Sequence, residues 1–541
     1  MPQPVPESSA TGDAVRARRR AWWLIALVVG LWVAEISLVQ HWTTCPDAAV
    51  SAARLLKDGC RRAALDLCAC AAVVCLLPGW GLAAAFAAWA VAANVLVAYA
   101  DYFHAPLSWP VVANQWREGL AVSDAGLASA NWLLVGLMAA ACLAKVAIAR
   151  RIPRHAPPIR QRRGLAVACV GLYAATAVGL AGYHKPIHSI NVGTPEYLYG
   201  YTVAWAAELL CLDEEALLAE ALEKARPKSD RLSAVEERID LGRHMAVVQV
   251  ESLDFAVVDA RVNGVPVMPF LHGLRDRSML FSVRPFHATG SSEADFSLLM
   301  AATPIGRFNP FQVPGFPYAD ALPRLARDRG YHVAAFHGNT GAFFHRRGAY
   351  EQMGFDELFF NEELAPHRVN GTRDDEVLAF SAGLLAAAQR PTMHFVITIT
   401  SHTPFNKVPR DRRELFPDAR TITERYLDSM RYVDRSLERY VAALPTGTTV
   451  VVYGDHESSV KGYLQDRAHE DRVPWFIFEK GRDLSARQRS RDSGLALSGK
   501  LTQLDLACYL RDRLAASRPD SDAPRRPVAT IAREGGDTAV R

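Results

Sequence analysis

Polar side chains that could do chemistry follow five apolar segments in the second half of the chain. Glu251 comes directly after MAVVQV, and Asp455 and His456 come after TTVVVYG. The other three segments are followed by histidines or hydroxyls: His287, Thr289, Ser291 and Ser292 after SMLFSVRPF, His337 after HVAAF, and His402 after MHFVITIT. Each residue alone is most simply a cap or a hydrogen-bonding group. Together, carboxylates, a hydroxyl and an imidazole form a ligand set for a divalent cation such as Mn²⁺, Mg²⁺ or Zn²⁺.

The hydroxyl lies in the segment ATGSSEADFSLLM, where a glycine and two serines precede acidic residues and an apolar helical pattern. This order is typical of a helix N-terminus, with Ser291 or Ser292 as the N-cap residue. A simple cap is one interpretation. In the other, the N–H groups of the helix end and a cation stabilise an alkoxide and then a phosphate-type anion on the same oxygen. The local sequence leaves both open.

The apolar segments have the length and composition of buried strands, and helical segments separate them. We predict strands at Met245–Val250, Ser278–Val283, His332–Phe336, Met393–Thr400, Thr448–Gly454 and Val473–Glu479, with helices that include Leu322–Arg329, Glu376–Gln389 and Thr423–Leu444. Near-continuous apolar strands that alternate with helices indicate an α/β domain with a mostly parallel sheet covered on both faces. The site of such a sheet forms at the C-terminal strand ends, where the candidate residues lie.

The first 185 residues differ in composition from the rest. The chain has 541 residues, of which 50% are hydrophobic and 22% charged, with a net charge of +4. Apolar stretches almost free of charge crowd into the N-terminal third, and ordinary soluble composition follows. This distribution excludes intrinsic disorder and a single compact domain. The small net charge without a basic stripe argues against nucleic acid as the main partner.

The apolar stretches predict a helical membrane domain of about five spans. They are Ala21–Gln40, two helices within Leu67–Ala100 interrupted at Pro78 and Gly79, Asn131–Ala149 and Gly164–Tyr183. A helix of about 20 residues crosses a hydrocarbon core of about 30 Å. Lys145, near one end of its span, is expected to reach the interface. A secretory signal peptide fits the first stretch less well, because the stretch is long and lacks a small-residue cleavage site.

Arginines near the span ends predict the orientation. Arg16 and Arg18 to Arg20 precede the first span, and the arginine-rich segment Arg150–Arg163 joins the fourth span to the fifth. Both clusters are expected on the cytoplasmic side, and five spans then place the rest of the chain on the outer side. One loop disagrees, since it carries basic residues between the first two spans on the predicted outer side, namely Arg54, Lys57, Arg61 and Arg62.

The expected organisation has five parts. A cytoplasmic N-terminus at 1–20 precedes the membrane domain at 21–185, an amphipathic linker at 186–242, a catalytic domain at 243–516 and a disordered tail at 517–541. Cysteines within the spans are expected to be small buried apolar residues. Cys45 and Cys60 share the first predicted outer loop, and whether they form a disulfide stays open.

Five ordered motifs resemble one known family. VQVESLD, HATGSSEADF, GYHVAAFHGN with FFHRRGAYEQMGFDELFF, TSHTPF and VVYGDHE appear in that order between about Met245 and Pro474. This region resembles the alkaline phosphatase/sulfatase superfamily, and within it the lipoteichoic acid synthase-like phosphoglycerol transferases. The predicted five-span anchor agrees with the layout of that family.

The resemblance implies roles for particular residues. The metal ligands would be Glu251, Ser291, Asp455 and His456, and the nucleophile would be Ser291, with Ser292 or Thr289 as alternatives if the register slips. Contacts to the head group would come from Asn339, Phe344, Arg346 and His402, and His402 would also act in catalysis. Relatives often have aspartate in place of Asn339 and tryptophan in place of Phe344, so the identity of the transferred group stays open.

The resemblance also implies an activity. We expect a transferase of substituted phosphate groups, a phosphoglycerol transferase in a bacterial inner cell membrane with a catalytic domain on the periplasmic or extracellular side. The donor would be a phospholipid, phosphatidylglycerol in the first place, and the acceptor a glycan or glycerophosphate polymer. One divalent cation is implied, Mn²⁺ before Mg²⁺ or Zn²⁺. A phosphoethanolamine transferase is the alternative.

Two other classes fit less well. A sulfatase is not expected, because the nucleophile position lacks a Cys/Ser-x-Pro-x-Arg motif. A non-catalytic membrane protein of the same fold would have lost metal ligands, whereas all four are present.

Overall fold

The fold is taken from a computed structural model of the chain. The structure describes residues 8–44, 52–103, 106–109, 111–113, 116, 131–152, 158–181, 199–210, 214–225, 241–482 and 501–517, except for 307, 368–370, 459 and 464–470. Ser517 is described, and the rest of the predicted tail, 518–541, lies outside the described residues. The described chain consists of an N-terminal group of long helices and a C-terminal α/β domain, as the sequence predicts.

Five long helices make up the N-terminal part. They are α1 (Ser8–Thr44), α2 (Ala52–Leu76), α3 (Gly79–Phe103), α4 (Trp132–Arg150) and α5 (Ile159–Ala181). The predicted break at Pro78 and Gly79 separates α2 from α3, because proline cannot continue a helix. Among the described residues, α1, α3 and α4 contain segments long and apolar enough to cross a membrane, at Val15–Thr44, Gly79–Ala100 and Trp132–Arg150. The count of five spans therefore stays a prediction.

Helices α2 and α5 begin earlier than the predicted spans. The basic residues assigned to an outer loop lie within α2, which starts at Ala52, and the three arginines that end the Arg150–Arg163 segment lie in the first turns of α5. Cys60 also lies in α2 and is a free cysteine, whereas Cys45 is outside the described residues. Arg18 donates to Gln161 Oε1 (2.5 Å), which brings the two arginine-rich clusters to the same end of the helices. This contact supports their predicted location on one side.

Lys145 does not extend to the interface as expected. Its ammonium group is 1% exposed and pairs with Glu35 of α1, itself 6% exposed. The rings of Trp32 and Phe86 surround the ammonium, with their centroids at 5.8 and 5.4 Å. A buried cation needs a counter-charge, and the single acidic residue of the first predicted span provides it. The pair ties α1 to α4.

Two short helices connect the halves. Helix α6 (Tyr201–Leu210) packs on the membrane helices, where Tyr201 joins an apolar cluster with Val39 and Ala93. Helix α7 (Glu214–Lys224) packs on the α/β domain instead, where Leu217 enters the main core. The predicted amphipathic linker thus contributes one helix to each half.

The α/β domain is built on a seven-stranded sheet. Its strands are β1 (His244–Val250), β2 (Arg261–Val262), β3 (Val265–Pro266), β4 (Met279–Val283), β5 (His332–His337), β6 (Glu357–Phe359), β7 (Thr392–Ile397), β8 (Thr449–Gly454) and β9 (Val473–Glu479), of which β2 and β3 form a separate hairpin. The order in the sheet is β4-β9-β8-β1-β7-β5-β6, and only β9 runs antiparallel to its neighbours. The predicted mostly parallel sheet is confirmed.

Helices cover both faces of this sheet. They are α8 (Pro269–Leu274), α9 (Ser292–Met300), α10 (Leu322–Asp328), α11 (Arg346–Met353), α12 (Asn361–Leu364), α13 (Asp374–Ala387), α14 (Ile422–Ala443) and α15 (Gln503–Ala516). Successive residues of β1 alternate between two apolar cores. Val247 packs with residues of α9, α10, α11 and α15, and Val248 packs with residues of α8, α13 and α14. Every residue of β1 is buried, as expected for a central parallel strand.

Strand β7 ends at Ile397, three residues before the predicted end. The carboxylate of Asp374 accepts the N–H groups of Ile399 (2.7 Å) and Thr400 (3.0 Å), which takes them out of the sheet ladder. The chain therefore turns toward His402 at this point.

We predict that Lys145→Ala destabilises the full chain in detergent by about 3 kcal/mol or more, because the variant leaves Glu35 buried without its counter-charge. The double variant Glu35→Leu/Lys145→Leu should recover most of this loss. The measurement is thermal unfolding, with Lys57→Ala, an exposed lysine on α2, as the control. Equal melting temperatures for Lys145→Ala and the control would show that the pair does not stabilise the helices.

Candidate active site

The candidate site forms where β1 and β8 end side by side. These strands are parallel neighbours, and Val250 pairs with Gly454 in their register. Glu251 and Asp455 are the next residues, and the Asp455 N–H donates to the Val250 carbonyl (3.2 Å). The sheet therefore brings together two acidic residues that are about 200 positions apart in the sequence.

Glu251, Asp455 and His456 form one compact cluster. Each offers a ligand atom, and these atoms lie within 4.8 Å of one another. His456 Nε2 lies 3.1 Å from Glu251 Oε1. Asp455 Oδ1 accepts the N–H groups of Ser252 (2.8 Å) and His456 (2.7 Å), which fixes its carboxylate. All three side chains are buried, with at most 2% of each residue exposed.

Ser291 supplies the hydroxyl of the cluster. It is the N-cap residue of α9, yet its side chain makes no capping hydrogen bond. Its Oγ donates instead to Glu251 Oε2 (3.3 Å). The two alternative hydroxyls bind elsewhere, since Thr289 donates to Glu293 (2.9 Å) and Ser292 Oγ lies 3.4 Å from Asn309 Oδ1. The geometry thus favours Ser291 over both alternatives and argues against a simple cap.

The cluster has the properties of a cation site. Asp455 Oδ2 is buried and has no hydrogen-bond partner among the described residues. His456 Nδ1 lies 2.7 Å from the Glu457 carbonyl, which can only accept, so Nδ1 carries a proton and Nε2 is the ring nitrogen left to bind a cation. A backbone carbonyl behind a histidine is the usual way to orient a metal-binding imidazole. Two carboxylates, an imidazole nitrogen and a hydroxyl therefore fit a divalent cation.

The electrostatics of the cluster show how strongly its charges interact. Burial raises the pKa of Asp455 well above its ordinary value, and the negative charge of Glu251 raises it further. Burial opposes ionisation of Glu251 as well, but His402 and His456 hold its pKa well below its ordinary value. Burial would lower the pKa of His456, yet the charges of Asp455 and Glu251 raise it to about 10. Two carboxylates this close need positive charge between them.

His402 approaches this cluster on the loop after β7. Asp374 fixes the start of the loop through the N–H groups of Ile399 and Thr400, and Ser401 Oγ donates to the Glu251 carbonyl (2.6 Å). His402 Nδ1 lies 2.6 Å from the Thr403 carbonyl and must donate to it. Its Nε2 is therefore the ring atom available to a substrate. Burial lowers the pKa of His402, which favours the neutral imidazole.

Arg346 is buried rather than exposed at the mouth of the site. Its guanidinium is 2% exposed and binds both oxygens of Asp295 in α9, with Nε to Oδ2 at 2.8 Å and an Nη2 contact to Oδ1 at 3.3 Å. Tyr350 also donates to Asp295 (2.7 Å). Burial opposes the charge, but Asp295 raises the pKa of Arg346 above its ordinary value. The Nε and Nη2 groups of Arg346 therefore hold the helix that follows Ser291. A contact from Arg346 to the head group stays a prediction.

Phe344 packs beside Ser291, whereas the hydrogen bonds of Asn339 go to other residues. The Phe344 ring packs on Gly290, where an added Cβ would lie 2.5 Å from the ring, and Gly290 has a φ of +117° that favours glycine. The ring also lies 5.2 Å from the Arg346 guanidinium carbon. Asn339 Oδ1 accepts the Thr340 N–H (2.9 Å), and its carbonyl accepts from Asn361. These two bonds of Asn339 do not reach the cluster, and a contact from Asn339 to the head group stays a prediction.

Two residues without an assigned role support the cluster. Gln503, at the start of α15, donates from Nε2 to the Asp455 carbonyl (2.7 Å) and accepts the Phe286 N–H at Oε1 (3.1 Å). The His287 ring stacks on His456 with centroids 3.6 Å apart. His287 follows a predicted strand, and this position is a sequence signal that marks it as a candidate site residue. Gln503 lies beyond the motifs of the resemblance, and no local pattern indicates it.

Comparison with known proteins finds similar sequences for this part of the chain. A family model for sulfatases matches residues 243–495. The chain is 28% identical over 272 residues to lipoteichoic acid synthase 2 of Bacillus subtilis (strain 168), an alignment that covers 44% of this chain and 41% of that protein. The chain spans about two fifths of the length of the curated relatives that it matches first.

Two solved structures are among those similar to this chain. The lipoteichoic acid synthase LtaP from Listeria monocytogenes is 23% identical with a TM-score of 0.41, covering 45% of this chain and 67% of that one. The integral membrane protein lipooligosaccharide phosphoethanolamine transferase A from Neisseria meningitidis is 13% identical with a TM-score of 0.48, covering 90% of this chain and 99% of that one. The matched region and the related synthases agree with the ordered motifs, and residues 243–495 form a sulfatase-like domain that is similar in sequence to lipoteichoic acid synthases.

Proposed function

We propose that this protein is a membrane-anchored, metal-dependent phosphoglycerol transferase. It moves glycerophosphate from a phospholipid head group, with phosphatidylglycerol as the expected donor, to a cell-envelope glycan or polymer. The observation that carries the proposal is the position of the Ser291 hydroxyl, 3.3 Å from Glu251 in a buried cluster of metal-ligand type. The names of the relatives, which are lipoteichoic acid synthases, support the same reaction class.

A divalent cation would be held by Glu251, Asp455, His456 Nε2 and Ser291 Oγ. Mn²⁺ is the expected ion, with Mg²⁺ and Zn²⁺ as alternatives. When bound, the cation would act as a Lewis acid that favours the ionised serine and neutralises charge on the phosphoryl oxygens. The chain itself keeps the four donors in place through the hydrogen bonds to Asp455 and the carbonyl behind His456.

The reaction proceeds in two displacements. Ser291 Oγ attacks the phosphorus of the donor, a bond forms between Oγ and phosphorus, and the bond from phosphorus to the diacylglycerol oxygen breaks. Ser291 loses its hydroxyl proton in this step, and the departing diacylglycerol oxygen gains a proton. An acceptor hydroxyl then attacks the same phosphorus, the bond to Oγ breaks, and Ser291 regains a proton. The N-terminal end of α9, which begins next to Ser291, favours the negative phosphoryl group through its dipole.

His402 is positioned to assist both displacements. Its Nδ1 proton is held by the Thr403 carbonyl, so Nε2 can bind a phosphoryl oxygen or exchange a proton with the leaving or attacking oxygen. The membrane helices confine the enzyme to the surface that contains its lipid donor. The catalytic domain is proposed to face the outer side of a bacterial inner membrane, in line with the arginine clusters that lie at one end of the helices.

We predict that wild-type full-length protein incubated with phosphatidylglycerol acquires one glycerophosphoryl group on Ser291, and that Ser291→Ala abolishes the adduct because the attacking oxygen is gone. Intact-mass measurement checks this. A phosphoethanolamine adduct formed from phosphatidylethanolamine instead would select the alternative donor.

Ser292→Ala is the matched control, since it removes a neighbouring hydroxyl that points toward Asn309. The control should keep the adduct. Loss of the adduct in Ser292→Ala together with its survival in Ser291→Ala would place the nucleophile one residue later. No adduct from either lipid in wild type would contradict the proposed function.

We predict that the purified full chain holds about one divalent ion at the cluster, and that Asp455→Ala or His456→Ala loses it, because each variant removes a ligand from a four-donor site. Elemental analysis of the dialysed protein measures the ion and identifies the metal. Asp259→Ala, which alters an exposed carboxylate of the same domain, serves as the control. A wild-type protein without metal, or an Asp455→Ala variant that retains it, would disprove the ligand assignment.

A further inference from the structure

The loop that leads to Ser291 is held by side chains from several parts of the chain. The Phe286 N–H donates to Gln503 (3.1 Å), and the Ala288 N–H donates to Glu293 (2.6 Å). The Ala288 carbonyl accepts from the hydroxyl of Tyr99 (3.0 Å). We define residues 284–290 as the nucleophile loop, since it runs from the end of β4 to Ser291.

Tyr99 belongs to the membrane half of the molecule. It lies near the C-terminal end of α3, 189 positions before Ala288. Its ring packs against an apolar cluster that includes Val39, Leu96 and Tyr201, so the membrane helices fix the position of its hydroxyl. The bond from Tyr99 thus connects the membrane anchor directly to the backbone three residues before the proposed nucleophile.

We propose that Tyr99 is a positioning residue for Ser291. It does not touch the reacting atoms, and it acts by restraining the Ala288 carbonyl. The consequence for catalysis rests on the proposed function, whereas the restraint on the nucleophile loop does not. Docking of the catalytic domain on the membrane helices is then part of forming the active site, beyond tethering the domain to the surface.

The geometry of the loop makes this restraint effective. The backbone at Gly290 has a φ of +117°, and the Phe344 ring occupies the space that a side chain would need there. Phe344 therefore bounds the loop near Ser291, while Tyr99 holds it at Ala288. Because the Ser291 hydroxyl bond to Glu251 is 3.3 Å long, a small shift of the loop is enough to break it.

The chemistry of the contact explains why a tyrosine is needed. Phenylalanine would fill the same apolar space in α3 but has no donor for the Ala288 carbonyl. The acceptor is a backbone group, so the contact does not depend on the side chain at position 288. Tyr99→Phe therefore removes the hydrogen bond to Ala288 and keeps the ring in the apolar cluster.

The first test measures amide hydrogen exchange of the full chain in detergent micelles. In Tyr99→Phe, peptides that cover residues 284–291 should exchange about fivefold faster than in wild type, the factor expected from the loss of one net hydrogen bond. The N–H groups of Phe286 and Ala288 report this opening, because both are bonded only while the loop is in place. Gln503→Ala, which removes the Phe286 acceptor, should accelerate the same peptides.

Tyr173→Phe is the matched control. It removes another tyrosine hydroxyl of the membrane half, one that bonds Thr202 and is not connected to the nucleophile loop. Its exchange in residues 284–291 should equal that of wild type. Unchanged exchange in Tyr99→Phe, or equal acceleration in Tyr173→Phe, would overturn the inference.

The second test separates positioning from a general effect on stability. With phosphatidylglycerol or phosphatidylethanolamine, whichever forms the adduct, Tyr99→Phe should lower the rate of adduct formation at saturating donor and leave the half-saturating donor concentration unchanged. An equal rate, or a change in donor affinity alone, would contradict a positioning role. If wild type forms no adduct at all, the proposed function fails, and the exchange measurement alone decides the inference about Tyr99.

Discussion

Two buried carboxylates, Glu251 and Asp455, end neighbouring parallel strands, and the repulsion between them constrains much of the surrounding structure. Parallel pairing of β1 and β8 forces the next residue of each strand to the same edge of the sheet. Their charges raise the pKa of His456 to about 10, so positive charge is strongly favoured beside them. The surrounding contacts are consistent with one requirement, which is to bring positive charge to this point. They are the carbonyl behind His456, the N–H groups on Asp455, and the Ser291 hydroxyl, which binds Glu251 instead of capping its helix.

Much of the fold could be predicted because its signals are local. The apolar strands β1, β4, β5, β8 and β9 begin and end within a residue or so of the predicted segments, and the Pro78 break separates two helices as expected. Other features depend on contacts that a local pattern cannot show. The antiparallel direction of β9 follows from its pairing in the sheet, and β6, with three residues, is too short to give a pattern. Strand β7 ends early because of Asp374, a residue on a different element.

The residues of the candidate site also fall into two groups, those with a local sequence signal and those whose position depends on distant contacts. Glu251, Asp455 and His456 could be predicted as candidates because they follow apolar strands, and the resemblance selects Ser291 among three nearby hydroxyls. The structure brings these four residues together. Arg346 and Lys145 show the limit. The sequence predicts Arg346 at the head group and Lys145 at the membrane interface, whereas each is buried against a carboxylate distant in sequence, Asp295 and Glu35 respectively. The free energy of burying a charge depends on its partner, and nothing near the cation in sequence identifies that partner.

Gln503 has a consequence for the order of events during synthesis. It stands at the start of α15, the last described helix, and it bonds both the strand end that carries Asp455 and the loop that leads to Ser291. Translation proceeds from the N-terminus, so the membrane helices, every strand of the sheet and all four proposed metal ligands leave the ribosome before this residue does. The centre therefore gains these bonds only after the anchor and the strands of the sheet have been made.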